Sequence, residues 1–246
     1  MAKPILATSF VSFTPTATTE ATDYPDDRVA VISSHPLIRR WRSTVITQTD
    51  MVCDMGAVTS VVAVAALGLN MTNVQFAHSA DNISYTTLSG TPTPGRDLLD
   101  GFRKVYLQRS FSNRYLRLRF PAQTPVDAAT YFSVGCILIM TSLITWPRDI
   151  PTPEGISLQR NYLSSGNDIM PAGPFFVSQE IQTVLGLTEI STLQNLMLLG
   201  AQTPFLFYRN WGNDTSQVYL FRANTGLQYQ RFGVHWTAGV QLTELV

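Results

Sequence analysis

Three histidines, two cysteines and a few loop aspartates are the residues of this chain that could do acid–base, metal or nucleophilic chemistry. Their spacing argues against it. His35 stands in a turn before Pro36, His78 on the apolar side of an alternating run, and His235 in the last β-like stretch. None has a ligand-type neighbour at i+2 or i+4, and no Gly-x-Ser-x-Gly elbow presents a nucleophile, so neither a metal site nor a catalytic histidine is expected. Glycoside cleavage needs two converging carboxylates. Asp81, Asp97 and Asp100 fall in expected loops, where acids ordinarily serve turns. Cys53 and Cys136 sit inside apolar strand-like runs and read as small buried hydrophobes, without metal or redox spacing. A disulfide would require neighbouring strands with Cα atoms about 4.4–6.8 Å apart, which spacing alone does not establish. The expectation is a non-enzyme with no cofactor.

The elements that must position these residues are strands. Arg114 to Phe120 alternates with Leu116, Leu118 and Phe120 on one face and Tyr115, Arg117 and Arg119 on the other, the period of a half-buried strand. Val74, Phe76 and His78 alternate against Gln75, Ala77 and Ser79 in the same way. Val61 to Leu67 and Phe132 to Met140 are denser apolar runs, suited to strands buried on both faces. Thr44 to Asp54 and Phe102 to Gln108 complete a set of at least six strands separated by Gly, Pro, Asn and Ser turns, which favours a sandwich or jelly roll over residues 34–146. Gly90 to Gly95 carries two prolines and reads as a projecting loop. Trp41 is expected to plug the core with its indole N–H bonded inside.

Residues 1–33, rich in Thr and Pro, read as an extended N-terminal arm, either disordered or ordering against a neighbouring subunit. Prolines from Trp146 to Pro153 mark a boundary, and residues 147–246 form a second β-rich region. Its strands are expected over Ile156–Leu163, Phe175–Val184, Pro204–Arg209, Val218–Arg222, Leu227–Phe232 and Val234–Leu245. One amphipathic helix is predicted at about 188–199, with Ile190, Leu193, Leu196 and Met197 on one face, Gly200 at its C-terminal end and Pro204 beyond.

Composition narrows the partners. The chain has 246 residues, 45% hydrophobic and only 14% charged, with 17 basic and 17 acidic side chains. A zero net charge gives no electrostatic reason to bind nucleic acid, and low charge suits a subunit of an assembly. The longest apolar run, Val61 to Leu69, is about half the roughly 20 residues of a bilayer-crossing helix. Lys3 and Ile5 to Val11 imitate a signal peptide only weakly, so an uncleaved N-terminus is expected.

The order of these parts resembles discoidin-like, galactose-binding-type jelly rolls. Trp41-Arg42-Ser43, Asp54-Met55-Gly56, the apolar run Val61 to Leu67, Val74 to Tyr85 and Arg114-Tyr115-Leu116-Arg117 take the positions of that family's Trp-x-Ser strand, Asp-Leu-Gly turn, apolar strand, Ser-x-Asp hairpin and Arg-Tyr-x-Arg strand. With the second region and Thr203-Pro204-Phe205-Leu206-Phe207-Tyr208, the whole is similar to minor tail proteins of tailed bacteriophages. That resemblance implies a structural virion component near the tail tip or baseplate, made in the bacterial host cytoplasm. It would form a homo-oligomer and contact other tail proteins. The alternative is a carbohydrate-binding adhesion module that contacts a host-surface glycan. Discoidin-like modules bind through loops at one end, which implies Ser79–Gly90, Thr91–Gly101 and Gln108–Asn113 here. Tyr85, Arg96 and Phe111 are then the candidate ligand residues, the aromatics for stacking on a sugar and the guanidinium for its hydroxyls.

Overall fold

The computed structural model describes residues 4–30, 40–96, 103–145, 156–159, 162–165, 168–171, 176–185, 204–209, 214–223, 228–232 and 235–244. These residues are almost entirely β, and one 3-10 turn, Asp26–Ala30, is the helical element among them. The helix expected at 188–199, the boundary at Trp146–Pro153, His35, Asp97 and Asp100 lie outside the described residues.

Two antiparallel sheets form the sandwich. The first orders β2 (Thr14–Ala17), β4 (Thr49–Val61), β10 (Phe111–Phe120), β6 (Gln75–Ser79) and β7 (Thr86–Thr87). The second orders β12 (Cys136–Met140), β5 (Ala63–Leu69), β9 (Arg103–Leu107) and β8 (Gly95–Arg96). Alternation decides which side chains meet between them. Met51, Cys53 and Met55 of β4 and Leu116, Leu118 and Phe120 of β10 pack against Val64 and Ala66 of β5, Val105 and Leu107 of β9, and Ile137 and Ile139 of β12. A short pair, β3 (Trp41–Arg42) with β11 (Ser133–Val134), closes one flank. Trp41 is fully buried beside Phe120, with ring centroids 5.8 Å apart. Its indole N–H, expected to be bonded inside, has no hydrogen-bond partner among the described residues.

The β5 and β12 runs are buried along their whole length because their sheet is a middle layer. Ala63, Ala65, Leu67, Cys136, Leu138 and Met140 point away from the first core and pack with Tyr106 of β9 against a third sheet. This sheet orders β13 (Ile144–Thr145), β1 (Ile5–Ala7), β18 (Phe205–Tyr208), β19 (Val218–Ala223), β21 (His235–Glu244), β17 (Phe176–Leu185) and β14 (Ile156–Gln159), with β20 (Gln228–Phe232) also on β21. β15 (Tyr162–Ser165) and β16 (Asp168–Pro171) form a separate hairpin. Ile5, Ala7, Leu206, Tyr208, Val218 and Leu220 supply its half of the second core, and the Tyr106 and Tyr208 rings stack at 4.3 Å.

The N-terminal segment, expected as an extended arm, is built into two sheets of its own chain. β1 lies between β13 and β18, with Leu6 opposite both Ile144 and Phe207. β2 pairs with β4, and between the two strands Val11 N–H donates to the Ile139 carbonyl at 2.8 Å. The physical reason is Ile5 and Ala7, whose buried side chains complete the second core, while Leu6 is buried on the other face of the strand. The Thr- and Pro-rich stretch behind it adds an edge strand, where Pro15 is tolerated.

The stretches that carry the family resemblance hold strands and turns. Ser43 Oγ accepts from Phe132 N–H at 2.8 Å and donates to the Val45 carbonyl at 2.6 Å, tying the end of β3 to the strand opposite. Gly56 takes φ +76° within β4 and donates its N–H to Asp54 Oδ1 at 2.8 Å. Arg114 grips the same carboxylate with two bonds of 2.7 and 2.8 Å, at the register shift between Asn113 and Tyr115.

Candidate functional site

The strand registers separate the three residues predicted to form one loop site. β6 finishes at Ser79 opposite Tyr115, and Phe111 opens β10 opposite Val61, so the Ser79–Tyr85 turn and Phe111 belong to one end of the sandwich. Arg96 pairs with Arg103, which opposes Leu69 at the end of β5, and this is the other end.

Tyr85 is half-buried, its hydroxyl donating to Asn82 Oδ1 and its ring lying under the Arg117 guanidinium at 3.9 Å. Phe111 is buried and stacked flat on His78 at 4.9 Å. A ring packed there offers no face to a sugar, which corrects the expectation that Phe111 is presented for stacking. The reason lies in the register shift between Asn113 and Tyr115, which interrupts the alternation of β10 and so turns Phe111 inward with Leu116, Leu118 and Phe120. His78 is occupied too, its Nδ1 meeting Asn113 Nδ2, and burial lowers its pKa.

The outer face of the first sheet is an ion lattice. Asp50 takes two bonds of 2.8 Å from Arg119 and lies 3.8 Å from Arg117, while Asp54 takes the Arg114 fork. Those bonds hold Asp54 below the usual carboxylate range. Such paired charges stabilise little at a surface. Asp81 is a turn residue: its Oδ1 accepts from Ile83 N–H, Ser84 N–H and Ser79 Oγ at 2.8–2.9 Å, which holds its carboxyl down at about 2.

Arg96 belongs to a pocket of about 410 Å³ lined by Arg40, Leu69, Asn70, Arg96, Arg103, Val126 and Asp127. Each element brings its part for a local reason. Leu69 and Asn70 follow the left-handed Gly68, φ +70°, where β5 shifts register and ends. Asn70 is buried and spends its amide on the wall: Nδ2 donates to Asp127 Oδ1 at 3.2 Å and to the Tyr131 carbonyl at 3.0 Å, and Oδ1 accepts from Ser133 N–H at 2.8 Å. These bonds pin the Pro121–Phe132 connection over the end of β5, placing Val126 and Asp127 at the rim. Gln123 fixes the same connection from the other side by accepting from Thr72 and Asn73 N–H at 2.9 Å each. Arg103 enters from the start of β9, and Arg40 from the residue before β3. Burial lowers the Arg40 pKa and the Asp127 carboxylate partly offsets it.

Beside the pocket, Arg42 is held between the Tyr24 ring at 3.7 Å and the Tyr131 ring at 4.6 Å. Of these residues the sequence reading singled out only Arg96 as a ligand residue. Asn70 and Arg103 carry a signal only once β5 and β9 are known to be antiparallel neighbours, which brings the end of one to the start of the other.

No family model matches the sequence, and no curated protein matches it. Several solved structures are similar to it over roughly half its length. One is the chitosan-binding module 1 of a chitosanase/glucanase from Paenibacillus sp. IK-5, 15% identical over 57% of this chain and 99% of that one, with TM-score 0.42. Another is a CBM32 module from Clostridium perfringens in complex with GalNAc-β-1,3-galactose, 14% identical over 54% of this chain and 99% of that one, with TM-score 0.43. The family 32 module of C. perfringens NanJ, in complex with galactose, is 14% identical over 55% and 98%, with TM-score 0.42. None of the three is described as a tail or baseplate protein.

Proposed function

We propose that this chain is a non-catalytic glycan-binding module that holds a saccharide in the pocket between Arg40 and Asp127. The observation that carries the reading is the pocket's lining. Guanidinium donors and a carboxylate acceptor surround a space of about 410 Å³ beside two aliphatic side chains, Leu69 and Val126. Sugar hydroxyls both donate and accept, so a wall with both polarities suits them, and the apolar pair suits the C–H side of a ring. The volume lies within the roughly 300–1,000 Å³ of small-ligand sites.

The tail-component reading drew on an N-terminal arm available to a neighbouring subunit. Residues 5–7 and 14–17 are hydrogen-bonded within the chain, which favours the glycan-binding reading over it. A glycan array probed with the full chain, followed by calorimetry on the hits, tests the proposal. Binding should weaken at least about tenfold in Arg96→Ala, the loss of one charge-assisted hydrogen bond, with the unfolding midpoint unchanged. A folded protein that captures no glycan overturns it.

A further inference from the structure

The wall of the pocket that carries Val126 and Asp127 is held in a backbone conformation that its sequence does not favour. Ala128, next in the chain, has φ +56°, in the left-handed region. Glycine enters that region freely, and Asn or Asp with help from a local side-chain bond, whereas alanine meets a Cβ clash and has no polar group to offset it. Asn82, at φ +62°, is the one other non-glycine there among the described residues. Outliers of this kind persist only where their surroundings over-determine them, and they cluster at segments that clamp ligands.

The surroundings of Ala128 do so. Gln123 anchors the start of the connection: besides accepting from the Thr72 and Asn73 amides, its Oε1 accepts from Thr72 Oγ1 at 3.2 Å, and its Nε2 donates to the Asn73 carbonyl at 2.8 Å. Val126 N–H then donates to the Asn70 carbonyl at 2.8 Å, and Ala128 N–H closes a turn onto the Pro125 carbonyl at 3.1 Å. Asp127 Oδ1 accepts from Asn70 Nδ2 at 3.2 Å and from Ala129 N–H at 3.3 Å. These ties bracket the two residues of the turn that line the pocket.

We infer that Ala128 is a positioning residue of the glycan site, its left-handed backbone locking Val126 and Asp127 in the places where a saccharide meets them. This rests on the glycan-binding reading and adds what prearranges its site. A wall fixed in the free protein loses little entropy when the ligand arrives. Glycine at 128 would hold the same φ without strain but would also reach other conformations, and refixing one freed backbone residue costs a factor of about five or more in affinity. Stability should behave differently. Relief of the left-handed strain favours the folded glycine variant, and the added freedom of its unfolded chain opposes this by a similar or smaller amount.

Calorimetry on the full chain with lactose, cellotriose, chitotriose and the array hits, beside urea unfolding, tests the inference. Ala128→Gly should bind about fivefold more weakly the saccharides that the unaltered chain binds, with an unfolding midpoint no lower. NMR relaxation should show Val126 to Ala129 more mobile in the free variant and restrained again at saturation. Asn82→Gly, the same exchange at the other end of the sandwich, should leave affinity unchanged. Equal affinity of Ala128→Gly and the unaltered chain, a loss matched in Asn82→Gly, or a loss that comes with a lowered midpoint overturns the inference and leaves glycan binding in place. Failure of every saccharide here and on the array overturns both readings.

Discussion

Replacing Gly95 with alanine tests how closely the sandwich is seated on the C-terminal sheet. A Cβ at Gly95 would lie 2.7 Å from Ser216 Cβ and 3.0 Å from its Oγ. Rotating the Ser216 side chain moves the oxygen but not the Cβ. The residue is also fixed, being 2% exposed with its N–H and hydroxyl both donated to Asp214 Oδ1 at 2.9 and 2.6 Å. Two carbons prefer about 3.5–4.0 Å, so β8 or the Asp214–Ser216 turn must shift by roughly 1 Å. Overpacking of this kind costs about 1–3 kcal/mol. Alanine returns about 0.4–1 kcal/mol by restricting the unfolded chain, leaving a net loss of about 1–2 kcal/mol. Urea unfolding of Gly95→Ala, Ser216→Gly and the double variant measures it. The double variant should recover at least about 1 kcal/mol relative to the sum of the singles, the coupling of residues in contact. Strict additivity, or stabilisation by Gly95→Ala alone, would refute the close approach.

Three further outcomes follow from the described contacts. Phe111→Ala should destabilise by about 3 kcal/mol, a large-to-small change in a packed core. Tyr85→Ala should cost under about 1 kcal/mol, as at a surface stacking site, and paired denaturation curves separate the two. Burial pushes the Cys53 thiol far up and that of Cys136 to about 12, so neither should react with a thiol reagent at neutral pH until denaturant is added; prompt native labelling would contradict the packing. The Asp81 carboxyl titrates at about 2 when folded, against about 3.9 unfolded. Its contribution to stability is present above pH ~4 and is lost as pH falls toward 2. Asp81→Asn should therefore show a shallower loss of stability across that window, read from acid unfolding curves, and an NMR titration of Asp81 near 4 would sink the account.

Much of the sandwich is legible in the sequence because period-two alternation is a local property. Leu116, Leu118 and Phe120 declare an inward face within a few residues, and the unbroken runs of β5 and β12 declare burial on both sides. What covers those runs is not local. Ile5-Leu6-Ala7 is too short to show a period, and its Thr- and Pro-rich continuation reads as arm. Only its pairing with residues near 144 and 207 makes it part of a sheet. The candidate site was hidden for the same reason. Tyr85, Arg96 and Phe111 each stand inside an expected loop, but which end of the sandwich each occupies depends on register. Register also turns Phe111 inward and brings Leu69, Asn70 and Arg103 to Arg96.

The position of β1 between β13 and β18 dictates an order of events during synthesis. Its first partner is about 140 residues away and its second about 200, by the registers Leu6 to Ile144 and Leu6 to Phe207. At roughly 5–20 residues per second, the Ile5–Ala7 segment waits on the order of 10–40 s for the second partner to leave the ribosome. The sandwich can close meanwhile, since the sheet pairings of β3 to β12 all fall within residues 14–140. Until β1 docks, the outward face of the middle sheet lacks part of its cover. That interval is when the nascent chain is most exposed to aggregation, and when a holding chaperone would have the most to protect.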